Sequence, residues 1–199
     1  QPQPARLAWI CLHYGEQVQM AKFQGTLNVS RSTVNETREA LETLVKVFKD
    51  LDIAYRIVGS VASSTQGMMR ATLDVDMVAA LNVEHISQLG AQLKSQYHVD
   101  EELMREAIAR GSSFNLIHLE TMIKIDVFIL GERPYDRVSF ARERLETIED
   151  LVLSFKTPED IILGKLEWFV QTDKTSERQW RDVIGLLKVQ GSLLDVEYM

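Results

Sequence analysis

The sequence predicts an α/β protein, an N-terminal core of alternating helices and strands with helices packed behind it. Two observations carry this. Segments with apolar residues every three to four positions alternate with short β-type runs through the first two thirds of the chain, and after Pro158 the periodic segments are helical. A third observation places the chemistry: the run Tyr55–Leu81 holds a Gly-Ser pair and, further on, Asp74-Val75-Asp76.

The first helix is expected over residues 30–51. Ser30 or Ser32 can cap it, and Val34, Leu41, Leu44, Val45 and Phe48 recur on one face. Ala54–Val58 is a β-type run that stops at Gly59, and Ser60–Gly67 forms a loop leading to a strand over Leu73–Ala79. Val83–Gln96 has helical spacing, with Asn82 as its cap and Ile86, Leu89 and Leu93 on its apolar face. A short helix is expected over Glu101–Ala109. Phe114–Leu119 and Met122–Leu130 read as a hairpin joined at Glu120-Thr121. Leu151–Phe155 is a short apolar element; Pro158 opens a helix to Val170, where its missing N–H costs nothing, and Glu177–Gln190 is the last helix.

The predicted organisation is a leader segment over residues 1–19, a core over 20–135 and a C-terminal helical region over 136–199. The leader is set apart by its two prolines, its scattered aromatics and its lack of a period, and Met20 would make an ordinary start. No internal repeat or low-complexity tract is visible.

Composition narrows the class. A chain of 199 residues with 45% hydrophobic content can bury a sizeable core. Its net charge of −7 provides no general attraction to nucleic acid, so a polynucleotide would need a local basic patch. The single cysteine, Cys11, excludes an internal disulfide and a cysteine-based zinc site. No apolar run approaches the roughly eighteen residues of a membrane span, and the expected compartment is the cytoplasm.

Side chains two apart on a strand share a face, so Asp74 and Asp76 project together. Two carboxylates that close repel unless a cation sits between them. A divalent ion with oxygen ligands is the usual answer, so the pair reads as a Mg²⁺ site, with backbone N–H groups at Gly59-Ser60 for a phosphate nearby. A third acid, Asp126, interrupts the apolar run Ile123–Ile129 and needs a partner if its face is buried. The histidines His13, His85, His98 and His118 show no ligand spacing, while Tyr55 and Phe128 read as core and Trp168 and Trp180 as core or interface residues.

The Gly-Ser pair, the Asp-x-Asp thirteen residues beyond it and a later strand aspartate together resemble the DNA polymerase β-like nucleotidyltransferase superfamily. Arg70-Ala71-Thr72-Leu73-Asp74, with the helical segments Thr157–Leu166 and Arg178–Asp182, is similar to its AbiEii-like, toxin–antitoxin-associated branch. Ser60 stands where that branch often has a second glycine.

The resemblance implies a nucleotidyltransferase-type mixed sheet flanked by helices, of α/β (α+β) class. It implies transfer of an NMP from an NTP to a hydroxyl of RNA, protein or a small molecule, with Asp74, Asp76 and Asp126 holding two Mg²⁺ ions. Gly59, Ser60, Arg70, Thr72, Lys165 and Asp182 would then contact the nucleotide. A cognate partner protein is possible for that branch. Two alternatives stand beside this reading: a non-catalytic nucleotide- or partner-binding module of the same fold, and a transferase acting on an aminoglycoside, whose acceptor pocket Glu101, Glu102 and Glu106 could make acidic. The presence of all three aspartates favours an enzyme over the module.

Overall fold

The computed structural model describes residues 31–59, 62, 74–148, 150–173 and 175–199. They fall into two compact units, one within residues 29–157 and the other over residues 158–199.

The first unit is built on a seven-stranded mixed sheet. Its elements in chain order are α1 (Arg31–Asp50), β1 (Tyr55–Val58), β2 (Asp74–Ala79), a 3₁₀ turn (Val83–His85) running into α2 (Ile86–Leu93), β3 (Tyr97–His98), α3 (Glu101–Arg110), β4 (Ser113–His118), β5 (Lys124–Ile129), α4 (Pro134–Ala141), β6 (Arg144–Ile148) and β7 (Leu151–Phe155). The strands lie in the order β3-β4-β5-β2-β1-β7-β6. The pairs β2–β5 and β1–β7 are parallel and the remaining pairs antiparallel.

Alternation decides what each strand buries. Val75, Met77 and Ala79 of β2, Ile125 and Val127 of β5, Phe114 and Leu116 of β4, and Ile57 of β1 are buried on one face. Against that face lies α1, whose buried stripe is Ala40, Leu41, Leu44, Val47 and Phe48. Val47 takes the inward place that the sequence reading assigned to Val45, which is half-buried. The α2 helix packs on α1 and α3, and α3 packs on β4. Tyr97 ties these layers together: its hydroxyl donates to the Ala40 carbonyl at 2.6 Å, and its ring meets His118 edge-on. Burial raises the Tyr97 hydroxyl's pKa well above the ordinary tyrosine value.

Local signals place the helix ends. Asn82 accepts a hydrogen bond from the Glu84 N–H, as its capping position predicts. Asp100 accepts from the Glu102 and Leu103 N–H groups at the start of α3, and Gly111 ends that helix in the left-handed conformation. The β4–β5 hairpin turns at residues 119–123, with Met122 at positive φ. Residues 136–157, grouped by the sequence reading with the C-terminal helical region, here make up most of α4 and the two sheet strands β6 and β7. Phe128 is 39% exposed, contrary to its reading as core, because position 128 shares the open face with Lys124 and Asp126.

The second unit is helical: α5 (Pro158–Gln171), α6 (Glu177–Gln190) and a closing 3₁₀ turn (Gly191–Leu193). Phe169 stacks on Trp180 with ring centroids 5.4 Å apart, whereas Trp168 is exposed. The Asp195 N–H donates to Glu159 and the Tyr198 hydroxyl donates to Asp160, which holds the last turn of chain on the start of α5. No helix among the described residues is long and apolar enough to cross a membrane.

Candidate active site

The sheet face opposite α1 carries the acids. In the parallel β2–β5 pair, Asp76 stands beside Asp126 and Asp74 beside Lys124. Period two then puts Asp74, Asp76, Lys124 and Asp126 on one face. Asp74 is exposed, and Asp76 and Asp126 are half-buried. On the other side of Asp126, β4 places Asn115 in register with it, exposed on the same face.

Gly59 follows the last residue of β1, and Val58 pairs with Asp76. Its φ of +68° lies in the left-handed region. A Cβ at this position would overlap the Asp76 Oδ2 and stand 2.8 Å from its Cγ. Glycine is therefore required twice over, by backbone conformation and by the approach of the Asp76 carboxylate. Ser60, Arg70 and Thr72 lie outside the described residues.

Lys124 is the site residue that sequence reasoning missed. Its Nζ lies 2.8 Å from the Asp126 Oδ2. The hydrogen bond to Asp126 raises the ammonium's pKa against the opposing effect of burial, and the charges of Asp126, Asp74 and Asp76 add to the rise. The signal was present in the sequence: Lys124 is two residues before Asp126 on a predicted strand, hence on its face.

The donor set is chemically suited to Mg²⁺, a hard cation that takes carboxylate oxygens. Among the described residues, no three His, Cys, Asp or Glu side chains stand in ready position to hold a metal ion. Among the described residues Asp126 holds the Lys124 ammonium, so this face accommodates positive charge and coordination would require Asp126 to turn from lysine to metal.

Farther along the same strands, a cavity of about 220 Å³ opens beside Val78, Ile129, Leu130 and Gly131 and is bordered by Arg133, Asp136 and Lys156. None of the predicted site residues among the described ones lines it. Arg133 clasps Asp136 through Nε at 2.9 Å and a second nitrogen at 2.7 Å, which holds the Asp136 carboxyl below the ordinary carboxylate range. Arg56 of β1, also missed from sequence, lies on the open face with its guanidinium 4.7 Å from the centre of the Phe140 ring and 3.3 Å from Glu143; burial lowers its pKa.

Lys165 and Asp182, expected to contact the nucleotide, lie in the helical unit and are bound to each other. Lys165 Nζ donates to Asp182 Oδ2 at 2.8 Å, with side chains 10% and 3% exposed, and Gln179 Oε1 lies 3.4 Å from the same nitrogen.

No protein-family model matches the chain, and no curated protein sequence matches it. Solved structures do. An antigenic nucleotidyltransferase-like protein from Paracoccidioides brasiliensis superposes with a TM-score of 0.56 at 20% identity, covering 77% of this chain and 76% of that one. The antibiotic-resistance factor ANT(2'')-Ia, in complex with adenylyl-2''-tobramycin, matches with a TM-score of 0.51 at 11% identity over 81% of this chain and 93% of its own. The Megavirus polyadenylate synthase matches at 0.50 and 10% identity over 94% of this chain, which spans 35% of that larger protein. With its mixed sheet and flanking helices, the chain has a nucleotidyltransferase-type fold.

Proposed function

We propose that this protein is a metal-dependent nucleotidyltransferase that moves an NMP from an NTP to a hydroxyl acceptor, releasing pyrophosphate. The observation that carries the reading is the in-register pairing of Asp76 with Asp126, with Asp74 on the same face and Gly59 against Asp76. On this reading Asp74, Asp76 and Asp126 hold two Mg²⁺ ions, which supply charge neutralisation at the phosphates and acidify the acceptor hydroxyl.

The chain's own residues then do the positioning that phosphoryl chemistry chiefly requires. Asp126 takes the proton from the acceptor hydroxyl as its oxygen attacks the α-phosphorus in line. Gly59 and Ser60 offer backbone N–H groups to the β- and γ-phosphates, and Arg70 neutralises them from just before β2, with Thr72 beside it in the motif.

The acceptor is RNA, protein or a small molecule. One structural neighbour is in complex with adenylyl-2''-tobramycin and another is a polyadenylate synthase, which supports a small-molecule or an RNA acceptor. The acidic balance of the chain favours a small or protein acceptor over a long polynucleotide. The expected compartment is the cytoplasm.

A specific observation favours a second reading, a nucleotide- or partner-binding module without turnover, paired with a cognate protein as in toxin–antitoxin systems: Asp126 is engaged by Lys124. One experiment separates the two. Incubation with each α-labelled NTP, Mg²⁺ and cell extract should put label into an RNA, protein or small-molecule fraction, and the Asp76→Asn protein should not. NTP binding without transfer of label to any fraction would put the binding module first.

A further inference from the structure

We propose that Lys124 is the built-in counter-ion of the carboxylate face, and that a divalent cation enters this face by displacing the Lys124 ammonium from Asp126. The inference rests on the metal reading of Asp74, Asp76 and Asp126.

The argument starts from register. Three acids on neighbouring positions of two hydrogen-bonded strands repel one another, because adjacent strands lie only about 4.8 Å apart. Lys124 occupies the fourth corner of that group, beside Asp74 across the strands and two residues from Asp126 along its own. Its side chain has other options: at 39% exposure it can reach water. Instead its nitrogen sits 2.8 Å from Asp126 Oδ2. The hydrogen bond and ion pair to Asp126 hold it there.

The choice of cation matters. An arginine would clasp the carboxylate with a planar fork, whereas a lysine is a point charge on a flexible stem and leaves at lower cost. Lysine and metal cannot share the Asp126 oxygen without like-charge repulsion, so each competes with the other for it. The face is thus kept charge-compensated before the metal arrives, at the expense of metal affinity.

The test replaces Lys124 by Met, which keeps the length of the stem and removes the charge, and by Gln as a polar second variant should Lys124→Met fail to fold. Mn²⁺ binding is followed through the EPR signal of the free ion, and melting temperature is measured in EDTA and in rising Mg²⁺. Lys124→Met is expected to bind Mn²⁺ about tenfold more tightly than the wild type, the effect of removing one positive charge a few ångströms away in a partly screened site. It should also melt lower in EDTA and gain more from Mg²⁺. Lys124→Arg should bind Mn²⁺ no better than the wild type. Unchanged or weaker Mn²⁺ binding by both neutral variants, with the wild type binding above the level of Asp76→Asn, overturns the role of Lys124 and leaves the metal site standing. No Mn²⁺ binding above that level by any variant overturns the metal reading and the proposal with it.

Discussion

Asp76 on β2 and Asp126 on β5 are direct neighbours in a parallel ladder, although fifty residues of chain separate them. The intervening chain makes α2, β3, α3 and β4, whose buried faces fix where β5 can lie. A slip of one residue in the β2–β5 register would turn Asp126 into the core and bring Ile125 or Val127 out in its place.

Asp76→Asn and Asp126→Asn should each reduce label transfer by orders of magnitude while leaving the fold intact. The amide keeps the shape of the carboxylate and removes the charge that the metals need, and loss of like-charge repulsion offsets part of any cost to stability. Transfer assays alongside thermal melts check this; full activity in either variant would contradict the assignment.

Gly59→Ala should harm both stability and activity. The left-handed φ alone costs an alanine roughly 1–2 kcal/mol, and the new methyl must also push the Asp76 carboxylate aside. Urea unfolding reads the first effect. The second should appear as lost transfer even at temperatures where the variant is fully folded.

Lys165→Met should destabilise the protein by about 3–5 kcal/mol, because it strips the charge partner 2.8 Å from a buried carboxylate. Lys165→Met combined with Asp182→Leu should cost less than Lys165→Met alone. Equal or greater loss in the double variant would mean that the pair contributes little through its charges.

The Arg133–Asp136 clasp should stabilise the protein at neutral pH and lose that effect in acid. The native Asp136 carboxyl titrates below its ordinary value of 3.8. Its contribution is therefore complete above that value and is lost as pH falls through the lowered native pKa. The gap in unfolding free energy between wild type and Asp136→Asn should thus be widest near pH 7 and shrink below about pH 4. Unfolding curves at several pH values measure it, and a gap that widens in acid would reverse the sign.

Much of the architecture follows from local chemistry. The stripes of α1, α2 and α3, the Asn82 cap, the hairpin before Asp126 and the final helix at Glu177–Gln190 are legible because each depends on residues within a few positions of one another. The common face of Asp74 and Asp76 is legible for the same reason. The strand nature of Arg144–Ile148 is not, since a mostly exposed edge strand with charged residues carries no apolar alternation. Nor does any local pattern state that Asp76 meets Asp126, that Gly59 leaves room for the Asp76 carboxylate, or that Lys165 is buried against Asp182 rather than exposed on a helix. Those relationships join residues from separate elements. Sequence periodicity determines which face of its own element a side chain takes, whereas only the packing of the sheet, driven by burial of its apolar face, decides which charges are brought together.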